Sequence, residues 1–255
     1  TNLCALFMIT YPWDFSSSAW QVTMPRNIKG LLGSCLVIPC SYDYYQYPPT
    51  RPDRVVWYQY VRRGYPIVYD YWNWNDVLDI FKGRTRVYTS SHHRTCSLLI
   101  DPVTLADHSQ KLYPWVDPEN VGWRTYPFYD TTVTVEVVGT ADPPVIEIFG
   151  NMVVGQSVTV QCSVYHTCPT YPPSLRLNIP LQNERLTHSR GALWRTVSIL
   201  TFTASANDDG RSLICYARFA GGQTRRATIT LRVKRAGPSV WRGVGSALWF
   251  GNGGV

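Results

Sequence analysis

Cysteine offers the most chemistry in this 255-residue chain, which carries Cys4, Cys35, Cys40, Cys96, Cys162, Cys168 and Cys215. None sits in a CxxC pair and only 5 His accompany them, so a zinc site is not the expected use. His92-His93 reads as a loop, because no third ligand lies near it in sequence. Ser, His and Asp occur in no nucleophile motif and no Gly-rich phosphate loop is present, so the chain reads as no enzyme, with no metal and no cofactor. An extracellular disulfide framework remains. Cys35 and Cys40 bracket Leu36-Val37-Ile38-Pro39 and differ by an odd number, so on a strand they point to opposite faces. One can bridge within its own layer while the other reaches outside it.

The elements that must hold these sulfurs are strands. Strand-like runs recur at short spacing with turn signals between them, and no long stretch of helical period appears. Two all-β modules of roughly 100 to 120 residues, each with its own core, account for most of the length. In the first, Cys35 to Cys40 reads as strand B and Arg54 to Tyr60 as strand C, with Trp57 as the core indole. Phe81 to Val87 reads as strand D, Cys96 to Asp101 as E, Lys111 to Val116 as F and Thr131 to Val137 as G. Asp142-Pro143-Pro144 is a short, stiff linker. In the second, Ser157 to Cys162, Val197 to Phe202, Leu213 to Ala217 and Ala227 to Val233 read as strands B, E, F and G.

Three cysteines from Cys35 onward lie on each side of the linker, so full oxidation needs one bridge between modules. Strand F of the first module carries Tyr113-Pro114-Trp115 where a second core cysteine is expected, which leaves Cys96 on strand E for Cys40. Cys162 with Cys215 makes the ordinary cross-sheet bridge, and Cys35 and Cys168 are left to pair. Moving the first bridge into one sheet lets the two sheets spread beside strands F and G.

The formal charge is +7 and aromatics make up 14%, with 10 Trp and 17 Tyr. Such a balance suits a solvated Arg-rich surface or an anionic partner: sialylated glycan, acidic lipid or heparin-like chains. Nucleic acid is not expected, for no Lys/Arg run beyond three and no recognition motif is present. Trp72, Trp74 and Tyr69 to Tyr71 read either as an exposed recognition patch or as packing, and Arg84 with Asp107 as a structural ion pair. Leu3 to Pro12 is apolar and small residues follow, as at the end of a secretory signal or in an N-terminal arm. No apolar run approaches the ~20 residues of a membrane span, so a membrane anchor is expected outside this chain.

These features resemble the first two domains of the Siglecs, the sialic-acid-binding immunoglobulin-like lectins. The six cysteines carry the resemblance, with Trp20 before Met24-Pro25, Val56-Trp57-Tyr58, Phe81-Lys82-Gly83-Arg84-Thr85-Arg86, Cys96-Ser97-Leu98-Leu99 and Asp208-x-Gly210-x-x-Leu213-x-Cys215. It covers about Trp20 to Ala236. What it implies is a V-set domain at 20–139 and a C2-set domain at 140–236, tied by a disulfide. Residues 1–19 are then a signal-peptide remnant or arm, and 237–255 a tail or linker. The resemblance implies an adhesion or recognition receptor on the cell surface, the ectodomain of a single-pass type I membrane protein. Its expected partners are sialylated glycoproteins or glycolipids, or a protein partner if the sugar site is lost. Family ligand residues carried over are Trp20, packing on the N-acetyl group, and Tyr126 or Trp123, packing on the glycerol chain. The strand-F position that holds an Arg in the family, to pair with the sialic acid carboxylate, is Trp115 here, read either as an aromatic that replaces the salt bridge or as a strand residue covering core; Lys111 or Arg124 is the nearby cation. Leu177 stands where the second domain's strand-C Trp is expected, Pro114 falls inside strand F, and no Asn-x-Ser/Thr sequon occurs.

Overall fold

A computed structural model describes residues 19–88, 94–179, 183–187 and 193–235. Cys4, His92-His93 and the expectations for the two terminal segments fall outside these residues, apart from Ala19 at the edge of the first. The first module runs through β1 (Trp20–Thr23), β2 (Asn27–Leu31), β3 (Leu36–Ile38), β4 (Ser41–Tyr44) and β5 (Val55–Gln59). It continues with β6 (Ile67–Tyr69), β7 (Thr85–Val87), β8 (Leu98–Ile100), β9 (Lys111–Val116) and β10 (Val133–Val138). One layer has the order β2-β10-β9-β5-β6, with β2 parallel to β10. The facing layer is β3-β8-β7, and β1 pairs with β4 beside it. This is the V-type arrangement of an immunoglobulin sandwich.

Period-two alternation explains which side chains meet between the layers. Leu36, Ile38, Trp57, Leu98, Ile100 and Leu112 are all fully buried, and each such side chain contributes about 1.5 to 3 kcal/mol on burial. The Trp57 indole Nε1 donates to the Cys96 carbonyl at 2.8 Å, so its polar edge is satisfied inside the core.

Two strand expectations change in this module. The run from Cys35 to Cys40 does not continue as one strand: β3 pairs with β8 and β4 with β1. Pro39 has no N–H to donate. Cys40 N donates to Ser97 Oγ at 2.9 Å, and Cys96 N to the Cys40 carbonyl at 2.9 Å. The chain thus stays beside β8 as far as Cys40 and then changes partner. Strand D keeps only Thr85 to Val87, because Phe81 to Arg84 form a turn closed onto Leu78 O and Phe81 O, with Gly83 at φ +74°.

The second module contains β11 (Val145–Phe149), β12 (Ser157–His166), β13 (Ser174–Leu177) and β14 (Asn183–Thr187). β15 (Trp194–Thr203), β16 (Ser212–Arg218) and β17 (Thr224–Thr230) complete it. Its sheets are β11-β12-β15-β14 and β13-β16-β17, four strands over three. Cys162 and Cys215 bridge the two layers. Leu177 lies opposite Cys215 and is buried, so a smaller aliphatic side chain fills that part of the core.

Cys40 bonds to Cys96 within one sheet, and Cys35 bonds to Cys168 between the modules. Around the second bridge Val37, Leu99, Tyr88 and Trp194 form a small apolar cluster. Val37 N donates to Thr167 O at 2.8 Å, and Thr167 Oγ1 to Lys29 O at 3.0 Å. Gln223 spans the junction, donating to Gly139 O and accepting from Ala141 N.

Candidate functional site

Strand β9 sets the site, because its alternation sends Lys111, Tyr113 and Trp115 to the outer face and Leu112, Pro114 and Val116 to the core. Pro114 fits for a specific reason. Tyr60 N donates to Lys111 O and Asp117 N to Arg54 O, so the hydrogen-bonded pairs of β5 and β9 alternate from those ends. Trp57 opposite Pro114 is then a non-hydrogen-bonded pair, and the missing N–H faces β10. There β10 pairs only with Lys111 and Leu112, so no ladder bond is broken.

Past that point residues 117–132 leave the ladder and fold back over the sheet. Asp117 starts the excursion at φ +48°, fully buried. Its carboxylate accepts from Arg51 N and Nε and from Asn120 Nδ2. Phe128, also fully buried, drops onto Trp115 with ring centroids 5.6 Å apart and planes 27° apart. The Trp115 indole donates to Val121 O at 2.7 Å, and Tyr58 and Tyr65 close its edges. Only 7% of Trp115 is exposed.

The other expected residues divide into two groups. Trp20, expected on the sugar, is 1% exposed; it lies between Tyr42, Tyr44, Tyr126 and Phe128, and its Nε1 donates to Tyr47 O. Tyr126 is half-buried, its hydroxyl accepting from Val22 N and bonding Thr131 Oγ1. Trp20, Tyr126 and Trp115 thus join one aromatic cluster through Phe128. Both the Trp20 and the Trp115 ring are covered, and both indole N–H groups are satisfied by main chain. Lys111, Trp123 and Arg124 are exposed, with Trp123 at 54% and the Arg124 guanidinium 5.3 Å from its ring. The Lys111 ammonium lies 4.2 Å from the Tyr60 ring. It also opens onto a groove of about 690 Å³ between β1, β2 and the start of β10, lined with Arg26, Gln21, Asp130, Thr131 and Thr134.

Several residues of the site escape a linear reading. Tyr58, Tyr60, Tyr65 and Tyr113 form an aromatic layer on the outer sheet face, with Tyr60 and Tyr65 44% and 60% exposed. Burial pushes the Tyr58 hydroxyl up to about 12 and the Tyr113 hydroxyl higher still, so both stay protonated. The outward alternation of 58 with 60 and of 113 with 115 is the signal for this layer; Tyr65 comes from the following hairpin and has none. Arg51 and Arg54 stack on Trp72, at 4.7 and 4.1 Å. Arg54 forks onto Asp70 at 2.7 and 3.0 Å and also donates to Glu119. Burial by itself would raise Asp70, yet the bonds from Arg54, Asn73 and Trp72 N hold its carboxyl below the usual range. The network ties three segments together and fixes the cover over Trp115. Trp72, Trp74 and Tyr71 remain 50% or more exposed, whereas Tyr69 is half-buried against the core. Arg84 and Asp107 form a two-pronged ion pair at 2.9 Å, away from this face.

The fold is that of a tandem-immunoglobulin ectodomain, and its sequence relatives place it in the extracellular, cell-surface class. Myelin-associated glycoprotein of Rattus norvegicus is 30% identical over 231 residues, 84% of this chain and 35% of that protein. Vascular cell adhesion protein 1 of the same species is 33% identical over 125 residues, 44% of this chain and 17% of that protein. The ectodomain structure of mouse nectin-like molecule 4 aligns over 83% of this chain and 67% of that one, with 18% identity and a TM-score of 0.36. No family model matches. These matches support membership of the Siglec-like family that includes myelin-associated glycoprotein, of whose length the chain spans about a third. Among the described residues no helix is long and apolar enough to cross a membrane, and no group of His, Cys, Asp or Glu could hold a metal ion.

Proposed function

We propose that the chain is the recognition end of a cell-adhesion receptor and that it engages a protein partner through the outer sheet face of its first module. In this reading the family's sialic acid pocket is filled by the chain's own aromatic rings. The observation that carries it is the joint burial of Trp20 and Trp115 around Phe128. A carboxylate there meets neither an open ring nor a guanidinium, and losing a charge-assisted pair removes several times ~1.5 kcal/mol. Support for a protein partner comes from the neighbouring surface, where exposed Tyr60 and Tyr65 adjoin exposed Arg62, Arg63 and Lys111. Tyrosine and arginine supply most hot spots of protein interfaces.

A second reading has its own observation. The groove beside Lys111 and Arg26 is large enough for one sugar residue and carries two cations. A glycan array read before and after sialidase separates the two. The protein-partner reading expects no sialidase-sensitive signal, and expects Tyr60→Ala with Tyr65→Ala to abolish adhesion to partner-bearing cells. Sialidase-sensitive binding that Lys111→Ala or Arg26→Ala removes would replace it with the sugar.

A further inference from the structure

The net charge is unevenly placed. Residues 1–139 hold twelve basic and twelve acidic side chains, whereas residues 140–236 hold eleven basic and five acidic. Much of that excess converges on one sheet. Strands β13, β16 and β17 contain Arg176, Arg218, Arg225 and Arg226 and no acidic residue. Register places Arg176, Tyr216 and Arg226 side by side in one row across the three strands. Arg218 sits in the next row on the same face, between Ser174 and Thr224. Strands lie ~4.8 Å apart and diagonal neighbours ~7 to 8 Å. Arg176 and Arg226 therefore stand about 10 Å apart, with Arg218 closing a triangle.

All three are exposed, and among the described residues none forms an ion pair. The same module does pair arginines elsewhere: Arg195 with Glu147 on the opposite sheet and Arg211 with Asp208. An open groove of about 390 Å³ beside Tyr216, Thr224, Arg225 and Arg226 gives the patch depth. Keeping like charges together unpaired costs folding energy, so the cluster points to an anion brought from outside.

We propose that the outer face of the β13-β16-β17 sheet is a binding site for a sulfated polysaccharide of the heparin type. Guanidinium forks match sulfate oxygens two at a time, and a linear chain of repeated anions can meet successive rows. Acidic lipid is the poorer occupant, because anionic headgroups concentrate on the cytoplasmic leaflet and this domain is of the extracellular class. The site is independent of the first module's ligand, so its fate does not depend on the protein-partner reading.

The test is retention of the full chain on immobilised heparin across a salt series. Replacing Arg176, Arg218 and Arg226 together by Ser should weaken binding about tenfold or more and lower the log–log salt slope by about 2 to 3. Lys29→Ser, Lys82→Ser and Arg86→Ser, three exposed cations of the first module, remove the same formal charge and should change it less than about threefold. Equal losses in the two triple variants would show net charge alone and overturn the site. So would absence of heparin binding, undiminished binding by the desulfated polymer, or a preference for phosphatidylserine vesicles. Melting temperatures within a few degrees of the parent, expected for surface changes, confirm that the variants are folded.

Discussion

Trp115 shows how the sequence can assign a side chain its strand and leave its surroundings open. Its outward direction follows from alternation along Lys111–Val116, but its cover comes from Phe128, thirteen residues on, across a segment whose path has no local signature. Trp115→Phe keeps the stacking and leaves the Val121 carbonyl without its donor, so we expect a loss of about 1 to 2 kcal/mol in chemical denaturation. Trp115→Arg would place a cation under Phe128; it should cost about 3 kcal/mol or more and create no sialoside binding. Asp70 supplies the pH prediction. Its folded pKa lies below the unfolded value of about 3.9, so its contribution is full above that value and is lost as pH falls through the folded one. As pH falls below about 4 the cover should loosen, read as a red shift of tryptophan fluorescence, and Asp70→Asn should flatten that acid limb.

At the scale of elements, strand F was legible residue for residue, because Lys111 to Val116 alternates and its neighbours mark its ends. Strand B was only half legible. Leu36-Val37-Ile38 announced a buried strand, yet the exchange of partners after Cys40 depends on Ser97 taking the Cys40 N–H from another strand. The place of Pro114 follows from the ladder phase: its absent N–H faces the open side, so Pro114→Ala should alter stability by less than about 1 kcal/mol. Tyr113→Pro, one residue earlier, removes a donor from the hydrogen-bonded pair with Tyr58 and should cost about 3 kcal/mol or more. Paired thermal melts of the two variants check this; comparable losses would contradict the assigned phase.

For the whole molecule, counting cysteines across the linker already required a tie between modules, and the structure supplies it as Cys35–Cys168. The tie closes a loop of 133 residues. In the chain-entropy picture Cys35→Ser with Cys168→Ser should lower stability by about 4 to 5 kcal/mol and free the modules to reorient, visible as a broader small-angle scattering envelope. Legibility failed at Gly221, whose role lies in a contact between distant loops. A Cβ there would stand 2.6 Å from Gly33 O, and its φ of +84° suits glycine. Gly221→Ala should therefore loosen the junction while leaving each core intact, seen as faster amide exchange at Gly33 and Ser34 without a matching loss in the two cores.

Saturation-transfer NMR of the intact chain with an N-acetylneuraminic acid glycoside tests the central claim, a family scaffold whose sugar pocket is filled from within. The account predicts no transfer to the N-acetyl methyl group at millimolar glycoside, in the parent and in Lys111→Ala alike. Saturable transfer in the parent that disappears in Lys111→Ala would contradict it.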